Sequence, residues 1–164
     1  HCSTKILKTP NTLNTPKTRK IPMFNPSRDQ VRHFFCNAWH KHLNRSVVEG
    51  AEATAIDIIL RHPEYQALLA SGDEAVAKDW TPEGGEMNPF LHLSLHLAVA
   101  EQVSIDQPPG VRAAWQKLAA RLDPHAAEHV ILECLGETIF RAQQVGGGMD
   151  AAAYVESIER AARG

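Results

Sequence analysis

The stretch Asn88–Gln107, NPFLHLSLHLAVAEQVSIDQ, restricts the possible folds more than any other part of the chain. Asn88 is a helix-capping residue, and Pro89 is the residue that best tolerates a first helical turn. From Phe90 to Ala100 the segment carries no formal charge beyond what His92 and His96 take up. On a helix of about 3.6 residues per turn, Leu91, Leu93, Leu95 and Leu97 point in nearly every direction. A helix that is apolar all round is buried, not laid on a surface. The segment therefore predicts a central helix over 89–104 with other helices packed around it. His92 and His96 share one face of that helix, and two imidazoles in apolar surroundings need partners.

A chain of 164 residues and 18.1 kDa can build one good hydrophobic core but not two comfortable ones. Hydrophobic residues make up 43% and aromatics only 6%, so Leu, Ala, Ile and Val must supply most of the core. That balance favours packed helices over a β-sandwich. The expected fold is all-α: a single domain over 23–164, with about five to seven helices around the buried one. No apolar run approaches the roughly 18 residues of a membrane span, so a soluble cytoplasmic protein without a membrane partner is expected.

The net charge of −2 hides an asymmetry. Residues 1–22 carry Lys5, Lys8, Lys17, Arg19 and Lys20 and no acid; the other 12 bases face all 19 acids, so 23–164 carry −7. An acidic body has no electrostatic reason to seek nucleic acid. The Thr-, Pro- and Lys-rich segment 1–22 reads as a disordered or expression-derived basic extension ahead of Met23. The three cysteines, Cys2, Cys36 and Cys134, form no C-x-x-C pair and read as free cytosolic thiols.

Asn25-Pro26 marks the start of a first helix whose inner face is Val31, Phe34, Phe35, Ala38 and Trp39, with His42 at its rim and His33 and His40 facing solvent. A second helix, about 49–61, carries Ala55, Ile56 and Ile59 and ends at His62-Pro63, because the residue before proline is pushed out of the helical region. Short helices follow at 64–70 and after 73, then a loop containing Gly84-Gly85. Pro108-Pro109-Gly110 turns the chain into a fourth major helix. Asp123-Pro124 caps a fifth, over 124–145, which Gly146–Gly148 ends. Asp150 caps the last, through about 160.

The fifth helix reads HAAEHVILE, which sets His125, His129 and Glu133 at i, i+4 and i+8. These drift by only about 80° around the helix, on a side shared with Leu132, Ile139 and Phe140. Packed against His92 and His96, they would converge four imidazoles and a carboxylate. That set suits a transition metal such as zinc, iron, manganese or copper, and helix bundles build metal sites from facing side chains in this way. Glu101, about 140° around from His96, is a further candidate ligand with poorer geometry. Glu52, Asp57 and His62 on the second helix are further candidates to complete a shell, although their spacing does not demand it.

Two metals would open oxygen or redox chemistry, and one metal with a free position would open metal-assisted hydrolysis. No catalytic residue is assignable, because the chain holds no P-loop, G-x-G-x-x-G, G-x-S-x-G or H-E-x-x-H. The competing reading is a non-enzymatic interaction or structural module that binds a protein partner or a second copy of itself. Its histidines would then be core residues hydrogen-bonded to Glu101, Glu128, Glu133 or backbone carbonyls.

The segments MFNPSRDQVRHFF, HPEY, NPFLHLSLHLAVAEQVSIDQPPG and HAAEHVILECLGE resemble a bacterial family catalogued as a domain of unknown function, over about residues 23–160. The NPFLHLS…SIDQPPG signature is the specific part. The resemblance implies a small cytosolic bacterial protein and brings no activity, cofactor or catalytic residue with it. The spacings H-x-x-x-H, H-x-x-x-E and H-x-x-x-x-E also resemble those of hemerythrin-type di-iron proteins, in a different order along the chain and on fewer histidine-bearing helices. Two histidines at i and i+4 are likewise similar to those of DinB-like metal bundles.

Overall fold

Capping residues set where the long helices begin. The computed structural model describes residues 27–80 and 88–164. There, α1 (Arg28–Leu43) starts at Ser27, whose hydroxyl accepts from the Gln30 amide while the Gln30 side chain accepts from the Ser27 amide. This reciprocal S-x-x-Q cap takes the place of the expected cap at Asn25-Pro26. That pair lies outside the described residues, as do segment 1–22, Met23 and the Gly84-Gly85 loop. Asn88, Asp123 and Asp150 cap α5 (Pro89–Ile105), α7 (Pro124–Val145) and α8 (Ala151–Arg163). Each side chain accepts from first-turn amides, an arrangement worth about 1 kcal/mol.

Between these run α2 (Ala51–Leu60), a 3-10 turn (Pro63–Tyr65), α3 (Gln66–Ala70), α4 (Asp73–Ala77) and α6 (Val111–Ala119). The chain is an all-α single-domain bundle, with eight α-helices among the described residues because α3 and α4 form as separate short pieces. None of the helices described is long and apolar enough to cross a membrane.

Helix α5 is the axis of the bundle and packs against α1, α2, α6 and α7. Its N-terminal half contributes Phe90 and Leu93 to one apolar cluster with Phe35, Trp39, Ile58 and Leu69. Its C-terminal half contributes Val99 to a second cluster with Val111, Leu118, Ile131, Tyr154 and Ile158. The core therefore has two lobes, one built on α1–α4 and one on α6–α8, and substantial helix packing between them runs through α5. With neighbours on only part of its circumference, α5 is not buried all round: Leu91 is 53% exposed, and the buried line is Phe90, Leu93, His96 and Val99.

The SIDQPPG signature forms a tied corner between α5 and α6. Asp106 takes a left-handed backbone (φ 54°), and its carboxylate accepts from the Gly110 and Arg112 amides at 3.2 and 3.1 Å. The Arg112 guanidinium reaches back to the Val103 and Ser104 carbonyls at 3.0 and 2.6 Å, satisfying the open end of α5. Gly110 sits at φ +97°, where an added Cβ would be both strained and 3.3 Å from the Val155 side chain. The Tyr154 hydroxyl donates to Gln102 at 2.6 Å and ties α8 to α5.

On the other lobe Arg32 is buried. Its guanidinium donates to the Val76 and Lys78 carbonyls, both at 2.7 Å, and lies over the Trp80 and Phe90 rings, which secures the end of α4.

Candidate metal centre

The seam between the two lobes is lined with histidine. Pro63 keeps His62 out of the helical region, so the chain leaves α2 there with φ −128° and ψ 66° and the ring turns inward. His62 is 3% exposed, and its Nδ1 donates to the Ile58 carbonyl at 2.7 Å. Helix α5 brings His92 and His96 to the same place one turn apart, with their Nε2 atoms 3.1 Å from each other. The Nε2 of His62 stands 3.3 Å from that of His92.

Helix α7 adds His125 and His129, whose ring centroids are 4.3 Å apart. One ring nitrogen from each of His62, His92, His96 and His129 lies within 4.8 Å of all the others. The His125 ring packs 5.0 Å from that of His62 but stands outside this group of four.

His96 is wholly buried and donates from Nδ1 to Glu128 Oε1 at 2.7 Å. The other Glu128 oxygen accepts from Arg61 at 3.4 Å. Burial on its own would raise the Glu128 pKa, but the His96 hydrogen bond and the Arg61 charge outweigh it and hold the carboxyl below its usual range. Glu128 is therefore an anion directly behind His96.

His62 and His96 spend their Nδ1 protons on a carbonyl and a carboxylate, so in the neutral ring each Nε2 is a lone pair. Both lone pairs face His92 Nε2, which holds at most one proton to share between them. His92 Nδ1, His125 Nδ1 and His129 Nε2 are buried with no hydrogen-bond partner among the described residues. Each such nitrogen costs about 1–3 kcal/mol if left unpaired. The described side chains and backbone groups alone do not pair these three nitrogens.

Protonation of His62, His92 or His129 is not the remedy either. Burial first, and then the neighbouring imidazoles, push His92 and His129 down to about 4, and burial also lowers His62. All three are neutral at pH 7 and present lone pairs. The unfolded values lie near 6.5, so between about 6.5 and 4 the unfolded chain binds protons that the folded chain refuses. Stability from these groups is full above about pH 6.5 and is lost as the pH falls towards 4. The resistance of chelator-treated protein to urea is expected to fall steadily across that window, and the fall should be shallower in His92→Gln. Resistance independent of pH between 7 and 4.5 would contradict the neutral histidines.

Of the residues singled out from the sequence, His92, His96 and His129 meet in the group of four, and His125 adjoins it. Glu133 and Glu101 are exposed and join no such group among the described residues. For Glu133 the helical drift decides: by two turns beyond His125 the stripe has rotated off the buried face. Phe140, further along, is 58% exposed for the same reason. Glu101 lines a groove with Ala51, Thr54 and Leu97. Glu52 pairs with Lys41 at 2.6 Å, and Asp57 is exposed. Ser94 bonds back to the Phe90 carbonyl, and Cys134 packs against the second lobe, away from the histidines.

His62, placed at the margin by sequence reasoning, is a member of the group of four. Its signal was the His-Pro pair, which forces a helix-ending residue to change direction. Glu128 is the carboxylate that meets the histidine group, hydrogen-bonded to His96.

The family model described as "Domain of unknown function (DUF1841)" matches residues 27–160, and the chain belongs to that family. No curated protein and no solved structure matches it.

Proposed function

We propose that this member of the family is a metal-binding protein whose His62, His92, His96 and His129 hold one transition-metal ion. The observation that carries the reading is the convergence of four imidazole nitrogens within 4.8 Å, where the facing Nε2 atoms of neutral His62, His92 and His96 share at most one proton. A cation supplies what the facing lone pairs lack. Neighbouring nitrogens on a tetrahedral zinc with bonds of about 2.0–2.1 Å stand about 3.3–3.4 Å apart. The His62–His92 and His92–His96 separations of 3.3 and 3.1 Å are of that size.

The second layer supports the same reading. Ligating histidines almost always donate their other N–H to a carboxylate or a carbonyl, which fixes the tautomer and strengthens the donor. His96 does so to Glu128 and His62 to Ile58. Imidazole donors suit zinc, copper, nickel and iron, whereas manganese and magnesium favour oxygen. With Glu101 and Glu133 outside the group, zinc is the ion this donor set fits best.

The test is elemental analysis of tag-free protein purified without chelator. About one ion per chain is expected, and it should be lost from a His96→Ala, His129→Ala double variant. Metal-free wild type that gains no thermal stability from added zinc, iron or copper would end the reading.

A further inference from the structure

We infer that the ion has a structural role: it joins the two lobes of the bundle at a closed centre, and is not an open site where a substrate reacts. The inference rests on the metal reading above. Its own ground is where the four ligands come from. His62 belongs to the lobe built on α1–α4, His129 to the lobe built on α6–α8, and His92 and His96 to the shared helix α5. Apart from α5 itself, no substantial helix-to-helix packing joins the lobes among the described residues. The Arg61–Glu128 pair also crosses the seam, but Arg61 is 37% exposed and the separation is 3.4 Å, so it contributes at most about 1 kcal/mol.

Four nitrogen donors fill a tetrahedral ion, and structural zinc sites are closed in this way, whereas catalytic ones keep a position for water or substrate. Three surface grooves among the described residues lie elsewhere. One runs between α7 and α8 past Arg141 and Arg160, one between α2 and α5 past Glu101, and one beside Pro108 and Val155; a site histidine lines none of them. A ligand set drawn from both sides of a seam, with His62 and His96 buried and His92 and His129 half-buried, has the layout of a clamp.

The consequence is cooperative. With the ion in place the lobes must open together, because losing either one breaks the coordination. Without it each lobe is left with its own apolar cluster and one shared helix, and opens on its own.

Hydrogen exchange read peptide by peptide across a urea series tests this on the full chain, with zinc as the probe. In zinc-loaded protein, α1–α2 and α6–α8 are expected to lose protection at one common midpoint, and after stripping at two separate ones. At a free zinc concentration about 1,000 times Kd, protection should rise about 1,000-fold in both lobes. In His62→Ala, which removes the one ligand of the first lobe, added zinc should protect α6–α8 and leave α1–α2 unchanged.

A single shared midpoint in stripped protein, or zinc protection of both lobes in His62→Ala, would overturn the clamp while leaving metal binding intact. Failure of wild type to bind zinc at all would instead overturn the metal reading and the clamp with it. Cobalt(II)-loaded protein should keep its absorption spectrum when millimolar azide is added. A spectrum shifted by azide would show an open position and refute the closed centre.

Discussion

Replacing His62 by alanine is expected to weaken zinc binding by at least about 100-fold, since losing even an outer-shell partner costs 10–100-fold. His62 supplies a directly facing Nε2 lone pair, fixed in place by the Nδ1 bond to Ile58. Glu133→Ala and Glu101→Ala are expected to leave the affinity within about twofold, because exposed side chains away from the site rarely exceed 0.5 kcal/mol in their effects. Competition against a chelator of known affinity measures all three. The comparison separates two accounts of the site. A ligand set read from helical periodicity alone puts the effect on the glutamates, and the folded geometry puts it on the histidine beside Pro63. Equal losses from His62→Ala and Glu133→Ala would contradict the geometry.

The largest stability effect is expected at Leu93. It is fully buried in the first lobe, on the side of α5 that faces Phe35 and Ile58. Leu93→Ala removes apolar area and leaves a cavity, a loss of about 2–5 kcal/mol in comparable cores. Leu91, two residues earlier and 53% exposed, should change stability by no more than about 0.5 kcal/mol when cut to alanine. Urea denaturation of loaded protein with an unchanged m-value reads both directly. Matching losses at the two positions would mean that α5 is buried all round after all.

Much of this architecture is legible in the amino-acid sequence, and the reasons are local. Asn88-Pro89 and Asp123-Pro124 start α5 and α7 where capping chemistry says they should, and α7 spans Pro124–Val145, the expected range. The histidine pairs one turn apart on these helices follow from periodicity, and they meet because both lie on faces turned towards the seam. Periodicity fails where a helix changes neighbours. Helix α7 faces α5 along its first turns, while its later residues, from Glu137 to Val145, line a groove against α8. The stripe that begins with His125 therefore does not stay buried as far as Glu133. Leu91 is exposed for a related reason: an apolar residue reports a preference, and whether a partner helix arrives there depends on the rest of the bundle.

His62 illustrates a different limit. Its approach to the site depends on the turn that Pro63 imposes and on where α2 lies against α5, neither of which a spacing pattern contains. Glu128 was one of several available hydrogen-bond partners in the sequence, and its burial beside Arg61 and His96 selects it. The buried Arg32 was not foreseen, since its partners are backbone carbonyls of Val76 and Lys78 more than forty residues away.

The measurement that bears most directly on the central claim is X-ray absorption at the zinc edge of loaded, tag-free protein. It reports the number and kind of atoms around the ion, independently of any activity. About four nitrogen neighbours are expected at roughly 2.0–2.1 Å, with the outer scattering pattern of imidazole rings, reduced by one ring in His62→Ala. A shell dominated by oxygen, by sulfur, or by fewer than three imidazoles would contradict the proposal that these histidines form a metal centre.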